Sequence, residues 1–273
     1  MRMLSFVAVA LLAAACTAAP PSSPGSQSNP FPSGTLVDLS HPYDERTIFW
    51  PTAESFRLEK VADGVTDKGY YYAANNLALA EHGGTHLDAP VHFAQGRWKV
   101  DEIPLERLMG EAVVVDVVRL CEAQPDYLVT VEDLQAWEQA HGRIPEEAML
   151  LLRTGFSQRW PDAASYLGTA ERGPDAVPKL HFPGLHPDAA RWIASSRPIK
   201  ALGIDTASID YGQSTLFDTH RVLYERDILG LENLTNLDRL PARGAWIMAL
   251  PMKIGGGSGA PVRAVAIVPV SGA

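Results

Sequence analysis

The sequence predicts an α/β fold built around a substantial sheet within one folded domain. Near-continuous apolar runs of strand length recur along the chain and are rich in β-branched residues, whereas helical patterns are few. Because these runs lack polar alternation, we expect them to form strands that are buried on both faces of the sheet. The predicted strands cover residues 112–118, 148–153, 201–204, 245–250 and 264–270.

Three segments carry helix signals. Thr130 opens the sequence T-V-E-D, a capping-box pattern, and apolar positions follow until a stop at Gly142. Pro187 suits the first turn of a second helix, and residues 219–226 form the third predicted helix. Helices mixed with buried strands favour an α/β fold.

Composition and charge narrow the function classes. The chain has 273 residues, 46% apolar and 20% charged, which is typical of a globular protein and fits one large core. Its formal net charge is −9, and no cluster of Lys and Arg is visible. Since nucleic-acid binding depends on such clusters, we expect no nucleic-acid partner.

The N-terminus has the pattern of a bacterial export signal. Arg2 precedes an apolar run over residues 4–15 that is too short to span a bilayer, and small residues lead directly to Cys16. The pattern resembles a lipoprotein signal, in which a lipidated Cys16 would attach the protein to a membrane. Conventional cleavage and an ordinary buried helix are the alternatives. We predict an exported envelope protein, either periplasmic or membrane-anchored.

These observations divide the chain into three parts. Residues 1–15 form the export signal, residues 16–34 a flexible Pro/Ser-rich tether, and residues 35–273 the folded domain. Cys121 is interpreted as a small hydrophobic residue at a strand end. The irregular residues 157–187 are either a substrate loop or a solvated surface excursion.

The strongest chemical signal is H-G-G-T-H-L-D-A-P-V-H-F, residues 82–93. Imidazole and carboxylate groups at this density bind divalent metals. The glycines and the proline disfavour a helix, and in an extended chain His86 and Asp88 share one face. The glycine turn lets His82 join them. We therefore predict a metal site with open positions, as a catalytic metal requires.

His92 is the fourth polar group of this motif. A neutral imidazole, with an ordinary pKa of about 6.5, is suited to accepting a proton from water at neutral pH. We therefore predict that His92 is a catalytic acid/base. The remaining histidines are interpreted as structural: His41, His141, His181 and His186.

On these residues the sequence resembles the metal-dependent cyclase-like amidohydrolases, a family that includes bacterial kynurenine formamidase and isatin hydrolase. The motif of residues 82–93 carries the resemblance, and it extends over nearly the whole folded domain. Supporting motifs are D-L-S-H-P from Asp38, W-P at residues 50–51, G-I-D-T-A-S-I-D from Gly203 and E-N-L-T-N-L from Glu232. The resemblance implies a swivelling β/β/α fold, a small-molecule substrate and a homo-oligomer, either dimer or tetramer.

The resemblance also implies roles for single residues. His82, His86 and Asp88 match the ligands of a first metal, and His92 matches the catalytic acid/base. Trp50 aligns with an aromatic residue that contacts substrate in the formamidases, and its alternative is a core tryptophan.

A second metal follows from the formamidase branch of the family. There a bridging aspartate holds this metal with a distant histidine and a glutamate twelve positions after that histidine. His220 and Glu232 show the same separation, with Asp88 as the bridge. In the isatin-hydrolase-like branch of the family, the site resembles one for a single manganese ion, and that glutamate is missing. We therefore predict two divalent ions per chain, Zn²⁺ or Mn²⁺.

The predicted function is a divalent-metal-dependent hydrolase that cleaves a C–N bond of a small amide, with metal-activated water and His92 as acid/base. The amide is an arylformamide or a cyclic amide, and the export signal argues against a substrate of cytosolic tryptophan catabolism. A lactone hydrolase and a noncatalytic envelope protein that binds a metal or a small ligand are the alternatives. Asp205 and Asp210 either orient ligand imidazoles or cap a strand end.

Overall fold

Eight strands form the main sheet in the computed structural model, which describes residues 32–269. Two short two-stranded sheets accompany it. The strands of the described residues are β1 (Gly34–Asp38), β2 (Arg57–Val65), β3 (Tyr71–Ala78), β4 (His86–Asp88), β5 (Met109–Asp116), β6 (Leu128–Val129), β7 (Met149–Arg153), β8 (Gly184–Leu185), β9 (Ala201–Ile204), β10 (Leu229–Glu232), β11 (Arg243–Pro251) and β12 (Gly259–Pro269). The α-helices are α1 (Val118–Ala123), α2 (Val131–His141), α3 (Ala163–Leu167), α4 (Pro187–Ser196) and α5 (Asp218–Tyr224).

The main sheet closes on itself. Its strand order is β1-β12-β11-β5-β7-β9-β10-β4, and the short β4 pairs with β12 as well as with β10. Strands β5, β7, β9 and β10 run parallel, while the other pairings are antiparallel. Parallel strands and intervening helices confirm the predicted α/β class.

Alternate residues of the parallel strands face two different cores. Val113 and Val115 of β5 belong to a core that also contains residues of the helices. Ala112 and Val114 of the same strand belong to a second core, shared with β11 and β12. The strands between the two cores are therefore covered on both faces, as a near-continuous apolar run requires.

The five predicted strands appear as β5, β7, β9, β11 and β12, with shifted ends. Burial on both faces is confirmed for β7 and β9 and for most of β5. It is wrong for β11, in which Ala245, Ile247 and Ala249 are buried while Leu250 is exposed. The reason is that the buried residues of β11 all belong to the second core, whereas Trp246 and Met248 on the other face are only half-buried.

The helix predictions are confirmed in α2, α4 and α5. In α2 the hydroxyl of Thr130 accepts the backbone N–H of Asp133, and the Asp133 carboxylate accepts the N–H of Thr130. The interpretation of Cys121 as a strand-end residue is wrong, because β5 ends at Asp116 and the carboxylate of Asp116 accepts the N–H of Val118 at the start of α1. Cys121 is nevertheless buried, as expected.

The hairpin of β2 and β3 carries no strand signal that the sequence analysis detected. Its side chains are exposed on both faces, so its hydrophobic residues show no period-2 pattern. None of the helices in the described residues is long and apolar enough to cross a membrane.

The N-terminal predictions fall mainly outside the described residues. The export signal of residues 1–15 and Cys16 lie there, as does most of the tether of residues 16–34. Gly34, the last residue of the predicted tether, begins β1 and pairs with Pro269.

Residues 157–187 are not a solvated excursion. They contain α3, β8 and two short 3₁₀ helices, and they bury Tyr166, Leu180 and Phe182 completely. The segment is irregular in sequence because its apolar residues pack individually rather than along one periodic face.

Candidate active site

The candidate site lies where β4 closes the main sheet. The antiparallel register places His86 of β4 opposite Glu232 of β10, and Asp88 opposite Gly230. On the other side of β4, Asp88 lies opposite Gly259 of β12. A Cβ atom at Gly230 would clash with the hydroxyl of Tyr224, so glycine leaves the space through which this hydroxyl reaches the buried Asp88.

Two carboxylates and two imidazoles interlock at this point. His86 Nε2 lies 3.2 Å from Asp88 Oδ1 and 3.3 Å from Glu232 Oε2. His220 Nε2 lies 3.4 Å from Asp88 Oδ2 and 3.2 Å from Glu232 Oε1. All four side chains are buried. Each carboxylate thus reaches both imidazoles, which matches the bridging position predicted for Asp88.

His82 and His92 flank this cluster on the same side. His82 Nδ1 lies 2.6 Å from Asp88 Oδ1, and its ring stacks on that of His92, with 3.8 Å between the ring centroids. Burial lowers the pKa of His92 to about 4, with the charge of Asp88 opposing this shift, so the ring is neutral at neutral pH. The structure therefore brings together every predicted metal ligand and the predicted acid/base.

The donor set fits divalent metals. Among residues 32–269, two groups have ligand atoms that all lie within 4.8 Å of one another, and both contain Asp88. The first group joins it with His82 and His92, and the second with His86 and Glu232. His92 is thus also within ligand distance, whereas the sequence analysis predicts only a catalytic role for it.

An unpartnered atom supports the same conclusion. His86 Nδ1 donates to the carbonyl of Gly84, so the neutral ring has its lone pair on Nε2, and this buried atom has no hydrogen-bond partner. Burial disfavours the charged ring, but the negative charges of Asp88 and Glu232, both within 3.3 Å of this atom, outweigh it and raise the pKa of His86 to about 10. The cluster therefore needs positive charge, which a divalent cation would supply.

Each ligand-bearing side chain is held by a further group. Tyr224 donates its hydroxyl to Asp88 Oδ2 at 2.7 Å, and the N–H of Ile209 donates to Glu232 Oε1 at 2.8 Å. His220 Nδ1 lies 2.5 Å from Asp210 Oδ2. Such partners fix the orientation of metal ligands and raise their basicity.

A cavity of about 270 Å³ opens above the cluster. Its walls are mainly aromatic and small apolar side chains, and none of the lining residues within the described part of the chain is Lys or Arg. Beyond the cluster and His92, the lining residues are Trp50, Ala53, Ala80, Phe93, Ala207, Ser208 and Phe217.

Trp50 is half-buried in the wall of this cavity. It lines the cavity and also packs edge-on against Phe182 and Phe217, at centroid distances of 6.4 Å and 6.3 Å. Residues 157–187 contribute no lining residue to this cavity, and the substrate loop proposed there stays a prediction. This segment supports the cavity wall from behind: Phe182 contacts Trp50, and the guanidinium group of Arg172 donates to the carbonyls of Phe49 and Ala53.

The two aspartates of the G-I-D-T-A-S-I-D motif differ in role. Asp210 orients His220, whereas Asp205 accepts hydrogen bonds from the backbone of Thr154 and Gly155 at the end of β7. Tyr224 is not predictable from the sequence, because a tyrosine within a helix gives no indication that its hydroxyl reaches an aspartate 136 positions away.

Comparisons with known proteins agree with this site. The family model described as putative cyclase matches residues 37–211. An isatin hydrolase of Roseibium aggregatum is 35% identical over 220 residues, which are 78% of this chain and 81% of that protein. A kynurenine formamidase of Salinibacter ruber is 30% identical over 233 residues, covering 84% of this chain and 96% of the formamidase.

A solved structure supports the fold at similar identity. Isatin hydrolase A from Ralstonia solanacearum superimposes with a TM-score of 0.77 and is 36% identical. The match covers 86% of this chain and 92% of the other. The predicted fold class is confirmed by this likeness.

Replacing Asp210 with Asn tests whether this residue supports a metal ligand. We expect the affinity for Zn²⁺ or Mn²⁺ to fall by about 10- to 100-fold, because His220 loses the carboxylate that orients it. Competition with a chromophoric chelator measures the change. The control is Asp218→Asn on α5, the helix that carries His220. The carboxylate of Asp218 pairs with Arg221 at the surface. Equal affinity in Asp210→Asn and wild type would contradict the role.

Proposed function

The chain belongs to the putative cyclase family of metal-dependent hydrolases, and we propose that it hydrolyses a C–N bond of a small aromatic amide. One observation carries the proposal. Two buried carboxylates and three imidazoles converge at the base of a cavity with aromatic walls, and His92 lies beside them. Asp88 contacts His82, His86 and His220 and so connects the whole set.

The residues of the site have different roles in such a reaction. Bound by His82, His86, Asp88, His220 and Glu232, a divalent ion would supply a Lewis acid that polarises a carbonyl group and lowers the pKa of water. His92 accepts a proton from the attacking water and returns it to the nitrogen that leaves. Trp50 and Phe217 hold an aromatic ring above the cluster and keep solvent from it.

The cavity favours an uncharged substrate. An amino-acid substrate such as N-formylkynurenine carries an ammonium and a carboxylate group, and burying either without a partner is costly. The carboxylate would need a cationic partner, and the lining residues within the described part include no Lys or Arg. A cyclic aromatic amide, the class to which isatin belongs, needs no such partner. The isatin hydrolase of Roseibium aggregatum, at 35% identity, points to the same class.

Two ions per chain are proposed, because the ligands exceed what one ion needs. His82, His86 and Asp88 would hold the first, and Asp88, His220 and Glu232 the second. Support comes from the contacts of Asp88 with all three imidazoles, and from the carboxylate of Glu232 lying between His86 and His220. Nitrogen and oxygen ligands suit both Zn²⁺ and Mn²⁺.

The substrate proposal is tested with the purified folded domain, Zn²⁺ or Mn²⁺, and three substrates: isatin, N-formylkynurenine and an aromatic lactone. We expect the largest kcat/KM for isatin. The variant His92→Ala should lose about 10²- to 10⁴-fold in kcat, since it lacks the proton carrier. His181→Ala is the control, because this histidine is exposed and pairs with Asp126. Preference for the lactone would favour the alternative hydrolase, and binding without turnover the noncatalytic protein.

Location and assembly are further proposals. Arg2, the apolar residues 4–15 and Cys16 support export and a lipid anchor. We expect the full chain to fractionate with bacterial membranes, and Cys16→Ala to release it to the soluble envelope fraction. Cys121→Ala, which alters a buried thiol of the folded domain, should leave the protein with the membranes. Uncleaved protein in the cytoplasm would contradict export.

The homo-oligomer, a dimer or tetramer, is proposed from the family resemblance and is tested by the mass in solution.

A further inference from the structure

A glycine-rich turn before β12 contacts the candidate metal site from outside. Residues 255–259 read G-G-G-S-G, and the carbonyl of Ser258 accepts the N–H of Ala89, directly after β4. A Cβ atom at Gly259 would lie 2.5 Å from His82 Cε1, and one at Gly257 would lie 2.8 Å from Glu81 Oε1. Glycine at both positions thus lets the turn approach residues 81 and 82 closely.

The side chain between these glycines joins two neighbouring residues of the site. The hydroxyl of Ser258 donates to Glu81 Oε2 at 2.7 Å, and its backbone N–H donates to the same oxygen at 3.0 Å. Ser258 Oγ also lies 2.8 Å from His82 Nε2. Glu81, Ser258, His82 and Asp88 therefore form a continuous chain of hydrogen-bonding groups.

The proton positions in this chain follow from the chemistry of its members. An ionised glutamate only accepts hydrogen bonds, so the single hydroxyl proton of Ser258 goes to Glu81. Ser258 Oγ must then accept from His82, which places the ring proton on Nε2. The lone pair on Nδ1 is left facing Asp88 Oδ1, 2.6 Å away. Two lone pairs this close need a positive charge beside them, which a proton or a metal cation supplies.

We propose that Glu81 and Ser258 are positioning residues that fix the tautomer and orientation of His82, so that Nδ1 is the nitrogen presented to a divalent cation. This inference rests on the proposed metal-dependent function. It assigns a role to the G-G-G-S-G turn, and it makes Glu81 part of the site although its carboxylate does not contact the ligand cluster directly.

The test measures the affinity of the metal-free protein for Zn²⁺ by competition with a chromophoric chelator. Ser258→Ala leaves Nε2 without its acceptor. Glu81→Ala removes the acceptor of the Ser258 hydroxyl, which is then free to donate to Nε2 and so favours the other tautomer. We expect each variant to bind Zn²⁺ about 10- to 100-fold more weakly than wild type. Ser258→Thr keeps the hydroxyl and should retain most of the affinity. Gly255→Ala is the control on the same turn, because a Cβ atom there meets nothing within 4 Å.

A second measurement separates positioning from a purely structural role. The thermal unfolding midpoint of each metal-free variant should stay close to that of wild type, while the absorption spectrum of the Co²⁺-loaded protein changes in Ser258→Ala and Glu81→Ala. Wild-type affinity and spectrum in both variants would overturn the inference and leave the proposed function intact. A wild-type protein that binds neither Zn²⁺ nor Mn²⁺ would overturn both.

Discussion

The burial of two carboxylates side by side is the constraint on which the site depends. Asp88 and Glu232 are only 1% and 4% exposed, and both lie within 3.4 Å of the same two imidazole nitrogens. Buried like charges are strongly unfavourable unless cations compensate them. The imidazoles alone compensate them only by holding protons, which is why the pKa of His86 and of His220 is raised above the ordinary value. A divalent cation meets the same need and leaves those nitrogens free as ligands.

The closure of the sheet creates this constraint. Strand β4 has only three residues, yet it pairs on both sides, and the glycines opposite Asp88 let Tyr224 and His82 approach the aspartate. The same closure brings the turn with Ser258 against His82. The cluster thus forms the floor of the aromatic cavity, and the groups that orient its ligands come from β12, α5 and the segment after β9.

Periodicity and motif spacing predict the parts of the molecule that are local. The apolar runs of β7 and β9 are continuous because both faces are covered, and the motif around His86 places its ligands within a few residues of each other. His220 and Glu232 carry no such local signal, and only the family resemblance indicates them. Their meeting with β4 depends on the register of β10 against β4, which no single segment encodes.

Groups that act through tertiary contact are harder still to predict. Tyr224 lies 136 positions from its partner Asp88, and Ser258 lies 176 positions from its partner His82. Neither tyrosine nor serine is a residue type that by itself indicates a role near a metal. The hairpin of β2 and β3 is also not predicted. Its side chains are exposed and neither face packs against a core, so the sequence shows no periodic hydrophobic pattern there. The prediction for Cys121 is wrong because the β-branched run before it does not indicate where the strand ends. The strand ends at Asp116, whose carboxylate accepts the N–H of Val118 at the start of α1.

Anomalous diffraction from crystals grown with Mn²⁺ tests the central claim most directly. We expect anomalous peaks within the cluster of His82, His86, Asp88, His220 and Glu232, two of them if both ions bind. A map that shows water at this position in the presence of saturating metal, or an ion bound only elsewhere, would contradict the account.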